Sequence, residues 1–66
     1  MISYGPLLRL LESRNIKMID LVRECKLSTA TVAKISKNEP MNITTIARIC
    51  RHLNVPIERV VEVNLD

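Results

Sequence analysis

Apolar residues fall on helical spacing along nearly the whole chain, and the breaks in that spacing divide it into short segments. Leu7, Leu10 and Leu11 form one inner stripe, widened by Leu8. They predict a first helix from behind Ser3 to about Arg14, with Tyr4, Gly5 and Pro6 in its opening turn, where a missing N–H does little harm. Asn15 and Ile16 link it to a second helix over about Met18 to Cys25. Lys17 takes the N-cap position of that helix and caps poorly; Asp20 in the first turn compensates in part through the helix dipole. Leu21, Val22 and Cys25 recur at i, i+1 and i+4, Leu27 falls in a break, and Val32 with Ile35 resumes the stripe. Ser28 is a credible N-cap for a third helix over Thr29 to Lys37. Asn38 suits a left-handed C-cap, and Glu39-Pro40 blocks continuation.

Asn42 opens a fourth helix, whose apolar positions Ile43, Ile46, Ala47, Cys50 and Leu53 give the clearest amphipathic pattern in the chain. Asn54-Val55-Pro56 ends it, and a short fifth helix is expected from Pro56 to about Val61 with Ile57, Val60 and Val61 turned inward. Beyond it, Val61, Val63 and Leu65 alternate with Glu62 and Asn64, which fits either a strand that pairs with a partner chain or a frayed tail. No linker, repeat or low-complexity stretch interrupts residues 1–66, so one domain is expected, with 62–66 as a short C-terminal extension.

Two short helices joined by one tight turn, over residues 18 to 38, make a helix-turn-helix. Such a motif needs one shared apolar seam and a second helix whose outer face is polar and small enough for the major groove. The chain resembles the Cro/C1-type, lambda-repressor-like helix-turn-helix proteins. The likeness runs from ISYGPLLRLLESRNIKMIDL, through LSTATVAKISKNEPMNITTIARICRHLNV, to IERVVEV. It implies an all-α, compact five-helix fold with the motif at helices 2 and 3. The family usually has Gly in the turn, where this chain has Lys26, and a small residue in place of Val22. A non-Gly residue in the left-handed region costs on the order of 1 kcal/mol, so Lys26 points to a different or strained turn.

Composition narrows the picture. Hydrophobic residues make up 47% of the 66 residues and aromatics 2%, so the core must be aliphatic and close to the lower size limit for a core without staples. One Gly and three Pro are too few for the repeated turns of a sandwich or barrel. At this length no room is expected for an effector domain. No apolar run approaches the roughly 20 residues of a membrane span, and Met1-Ile2-Ser3 opens no secretory signal, so a cytoplasmic location is expected. Cys25 and Cys50 lack CxxC spacing and His52 is the lone His, so both read as free thiols on apolar stripes with no metal or other cofactor.

The net charge of +3 is unevenly spread: residues 1–53 hold nine Lys/Arg against four Asp/Glu, and residues 54–66 hold one against three. The basic part carries the motif, as affinity for a polyanion by counterion release requires.

With Val32 and Ile35 held by the core, the outer face of the third helix comprises Thr29, Ala30, Ala33, Lys34 and Lys37. The expected base readers are Thr29, Ala30, Ala33 and Lys34. Thr29 can hydrogen-bond a base edge or lay its methyl on thymine, the alanines offer methyl contacts, and Lys34 can donate to guanine O6 and N7. The family's reading positions map onto Thr29, Ala30 and Lys34 by resemblance. Lacking Gln, Asn and Arg, the helix should discriminate modestly, with phosphates supplying much of the affinity. Expected phosphate contacts are Ser28, Thr31, Lys37 and Asn38 around the third helix, Lys17 at the amino end of the second, and Lys26 in the turn. Arg48 and Arg51 read as a plain solvated face of the fourth helix.

One small recognition helix makes few contacts, whereas two copies on half-sites about 34 Å apart gain through effective concentration. A homodimer on double-stranded DNA is therefore expected, its interface drawn from Ile49, Val61, Val63 and Leu65. The functional expectation is a small transcriptional regulator, a repressor acting by occupying its operator, with no small-molecule effector site evident. Catalysis lacks a glycine-rich loop, a carboxylate cluster or a nucleophile with a base, so an enzyme is not expected. The rival reading is a protein-interaction module, an antitoxin or adaptor on the same fold, to which exposed Met18, Ile19 and Met41 would give weight.

Overall fold

A computed structural model of the chain describes residues 1–65; Asp66, the last residue of the expected extension, lies outside the described residues. The order of elements is β1 (Ile2–Ser3), α1 (Gly5–Ser13), α2 (Met18–Cys25), α3 (Thr29–Lys37), α4 (Ile43–Leu53), a single 3-10 turn (Ile57–Arg59) and β2 (Glu62–Val63).

Each helix starts and stops for a local reason. Ser3 Oγ accepts the Gly5 N–H at 3.0 Å, and Pro6 sits in the first turn of α1. Asn15 then takes φ 58°, and Ile16 N–H returns to Leu11 C=O at 2.8 Å, closing the helix end. Lys17 offers α2 no side-chain cap, as its residue type predicts. Ser28 Oγ accepts the Thr31 N–H at 3.1 Å, and Asn42 Oδ1 accepts the Thr44 N–H at 2.8 Å, so α3 and α4 are both capped by side chains. Lys26, Asn38 and Asn54 end α2, α3 and α4 in the left-handed region. Asparagine tolerates that conformation; Lys26 does not, and carries the turn at φ 55° with its Cβ crowded.

Leu7, Leu10 and Leu11 of α1 enter the core as expected, with Leu21, Cys25, Leu27, Ile35, Ile46, Ile49, Leu53 and Val60. Tyr4, assigned only to a first turn by the sequence reading, is fully buried.

Several expectations need correction. Among the described residues there are four α-helices and not five: where the fifth was expected, Arg59 N–H bonds to Pro56 C=O and Val60 N–H to Ile57 C=O in one tight turn. Val60 C=O is then taken by Leu7 N–H at 3.2 Å, and Glu62–Val63 pass directly into β2, so the turn does not extend into a helix. In the same turn Val60 is fully buried and Val61 partly buried, while Ile57 faces outward at 45% exposure.

Helix α4 is rotated relative to the stripe read from sequence, so that Ile46, Ile49 and Leu53 are buried, Cys50 is partly buried, and Ile43 and Ala47 lie exposed. Ile49, expected at a dimer interface, is consequently 0% exposed in the core of its own chain. Finally, the alternating C-terminal residues are not a frayed tail: β2 pairs antiparallel with β1 of the same chain, Ile2 against Val63 and Ser3 against Glu62. Asn64 N–H to Met1 C=O at 2.7 Å and the Met1 ammonium to Asn64 C=O at 3.2 Å extend that ribbon by one pair.

Candidate nucleic-acid interface

Helix α3 is the least embedded of the long elements. Ile35 is its single fully buried residue, Thr31, Val32 and Ala33 are half-buried, and Thr29, Ala30, Lys34 and Lys37 are exposed. The exposed positions fall at i, i+1, i+5 and i+8, and with half-buried Ala33 at i+4 they line one stripe along the helix. Two of its side chains are small, which lets the backbone approach another surface closely. Lys34 and Lys37 lie in the last turn, where they also favour the carbonyl end of the helix dipole.

What the core does not supply, the ends of α3 do. At its start, Ser28 Oγ receives Thr31 N–H and shares a further hydrogen bond with Thr31 Oγ1 at 3.0 Å, so these two hydroxyls are engaged with each other. At its finish, Asn38 N–H bonds to Ile35 and Lys34 carbonyls and Glu39 N–H to Lys34 C=O at 2.9 Å. Asn38 Oδ1 reaches across the fold and accepts Tyr4 N–H at 2.9 Å; Tyr4 OH donates to Glu39 C=O at 2.7 Å. Of the Asn38 amide, the carbonyl oxygen is thus committed and the NH2 group remains for a ligand. No sequence signal marks this clamp, since Tyr4 and Asn38 stand 34 residues apart.

Lys17 is exposed at the N-terminus of α2 and Lys26 is exposed in the turn. Beside Lys26, α4 braces the carbonyl end of α2: Arg48 Nη1 donates to Cys25 C=O at 3.3 Å, and His52 Nε2 lies 3.2 Å from Glu24 Oε2. Arg48, read from sequence as an idle solvated residue, therefore steadies the turn of the motif; only the folded arrangement of α2 against α4 reveals it. Burial pushes the thiols of both Cys25 and Cys50 above their ordinary range, opposed at Cys25 by Arg48. Both stay protonated and poorly nucleophilic at neutral pH.

Of the apolar residues that would favour a protein-interaction module, Met18 and Met41 pack against the core, and Ile19 alone stands out at 62% exposure. Of the remaining dimer candidates, Val61 is partly buried against the core while Val63 and Leu65 are 64% and 92% exposed. Among the described residues, no helix is long and apolar enough to cross a membrane, and no group of three or more His, Cys, Asp or Glu side chains is placed to hold a metal ion.

A short α2, a tight turn and a capped, outward-facing α3 define a helix-turn-helix DNA-binding domain. The sequence matches the family model of the Cro/C1-type HTH DNA-binding domain over residues 6–66, and the chain belongs to that family. The crystal structure of the transcriptional regulator VanUg, form II, is similar to it at 32% identity and a TM-score of 0.93, covering 98% of this chain and 87% of that one. No protein of curated function matches the chain.

Proposed function

We propose that this chain is a transcriptional regulator that binds double-stranded DNA in a sequence-specific manner, with α3 in the major groove. The observation that carries the reading is the stripe of Thr29, Ala30, Ala33, Lys34 and Lys37 on a helix held at its two ends and by one buried isoleucine. The likeness to a transcriptional regulator supports it. Thr29, Ala30, Ala33 and Lys34 read bases: Lys34 from guanine O6 and N7, the three small side chains by methyl contact and one hydroxyl. Lys17, Lys26, Ser28, Thr31, Lys37 and the Asn38 amide hold phosphates, the lysines as the main donors because the Ser28 and Thr31 hydroxyls already bond to each other. The protein acts as a homodimer and represses by occupying its operator. A cytoplasmic location follows from that role.

Charge reversal tests this reading. Lys34→Glu combined with Lys37→Glu should abolish retention on duplex DNA at moderate salt while the circular dichroism spectrum and Tm stay close to wild type. Unchanged retention in a folded double variant would favour an interaction module with an idle α3. A binding selection on random duplexes, repeated at two salt concentrations, would return the operator and the phosphate share of the affinity.

A further inference from the structure

We propose that the outer face of α4, together with the hollow it forms against the carboxyl end of α2, docks an acidic amphipathic helix of a partner protein. The site lies on other residues than the α3 stripe, so a regulator seated on a duplex keeps it free for a second protein.

Helix α4 is apolar on two sides. Ile46, Ile49 and Leu53 fill the core, while Ile43 and Ala47 lie exposed at i and i+4, Ile43 at 62%. Arg51 continues that outer line at i+8, and Thr44 and Arg48 run beside it at i+1 and i+5. The outer face is therefore apolar toward its amino end and cationic toward its carboxyl end. Small Ala47 in its middle lets another helix approach closely.

Two hollows meet on this face. Thr44, Ala47, Arg48 and Arg51 line one of about 200 Å³. Arg48 and Arg51 also border a second, of about 370 Å³, whose α2 side is Glu24, Cys25 and Lys26. Arg48 is set in place before any ligand arrives, with Nη1 donating to Cys25 C=O at 3.3 Å and Nη2 to Thr45 Oγ1 at 3.5 Å.

Charge identifies the occupant. Glu24 is the one carboxylate lining either hollow, and its Oε2 already lies 3.2 Å from His52 Nε2. Among the described residues, no carboxylate pairs with Arg48 or Arg51. Two guanidinium groups one turn apart repel each other, and each offers a planar fork that fits a carboxylate. A duplex backbone would satisfy those forks but brings no apolar side chains for Ile43 and Ala47. A helix with Glu or Asp on its flank and leucines on its face supplies both.

A labelled synthetic helix tests the site: leucines recur every three or four residues, glutamates flank them, and binding to the full chain is read by fluorescence anisotropy. The peptide should bind wild type and lose its affinity when its glutamates are replaced by glutamine. Arg51→Glu should weaken binding by roughly tenfold through like-charge repulsion. Ala47→Glu, an exposed helix former that pairs with Arg51 one turn on, should do the same and serves should Arg51→Glu unfold. Arg9→Glu, the same change of charge on α1, should bind as wild type does. Amide resonances of Ile43, Ala47 and Arg51 should shift on binding and those of Thr29 to Lys37 stay in place. No binding to wild type, equal loss in Arg9→Glu, or shifts confined to α3 overturns the proposal.

Two other occupants have their own signatures. Loss of one phosphate contact lowers the salt slope of duplex affinity by about 1; Arg51→Gln should leave that slope unchanged, and a lowered slope gives the face to DNA and overturns the proposal. Self-association in sedimentation equilibrium that Arg51→Glu abolishes would make the occupant a second copy, with the same consequence. Peptide binding is measured without DNA, so a chain that fails to retain a duplex still gives a clear result here.

Discussion

Helices α3 and α4 are built alike and embedded differently. Both begin with a side-chain cap, at Ser28 and Asn42, and both end on a left-handed asparagine, Asn38 and Asn54. Yet α4 buries Ile46, Ile49 and Leu53, whereas α3 buries Ile35 alone. The core holds α4 along its length; α3 is held at its ends and presents its length to the outside. On the proposed reading α3 lies in a groove of another molecule and so is not sunk in its own protein, and its anchoring moves to caps and to the Tyr4 clamp.

The sharpest way to break the contrast is to empty the core beneath α4. Ile49→Ala should cost about 2–5 kcal/mol in denaturant unfolding, while Ile43→Ala on the exposed turn of the same helix should stay within about 0.5 kcal/mol. Removing an end support of α3 should cost less. Asn38→Ala loses both the left-handed cap and the bond to Tyr4, and a drop of about 2 kcal/mol is expected by the same measurement. Ser28→Ala should cost about 1 kcal/mol, read as a lower Tm together with faster amide exchange confined to the first turn of α3.

Strain relief runs the other way, since Lys26→Gly should gain about 1 kcal/mol, or roughly 4–8 °C in Tm. Losing one positive charge, the variant should also show a shallower salt dependence of DNA affinity. Tyr4→Phe should cost about 0.5–1.5 kcal/mol, and pH separates it from the rest. Burial holds the Tyr4 phenol above its ordinary value of 10.0, with the neighbouring Met41 main chain acting the other way. The unfolded chain releases that proton first as pH rises, so stability should fall above about pH 10 in wild type. Tyr4→Phe should remove the part of that decline due to the phenol, while the raised cysteines continue to contribute.

How far the chain could be read depended on how local each feature is. Caps are local: Ser28, Asn38 and Asn42 act on residues two to four positions away and were legible from residue type. The Leu7, Leu10 and Leu11 stripe was legible because no rival stripe exists in α1. In α4 two overlapping stripes exist, one through Ile43 and Ala47 and one through Ile49, and only packing decides between them. The β1–β2 ribbon joins opposite ends of the chain through strands of two residues each, too short to show a period. The outward stripe of α3 could be listed by subtracting its core positions, but the engagement of Asn38 with Tyr4 and of Ser28 with Thr31 depends on geometry that spacing does not carry.

Tyr4 has one more consequence. It is the sole aromatic residue, with no Trp or Phe elsewhere, and it sits at the joint between the terminal ribbon and the end of α3. Ultraviolet emission from the unlabelled protein therefore comes from a single ring at that joint, a built-in reporter of whether α3 shifts when a duplex arrives.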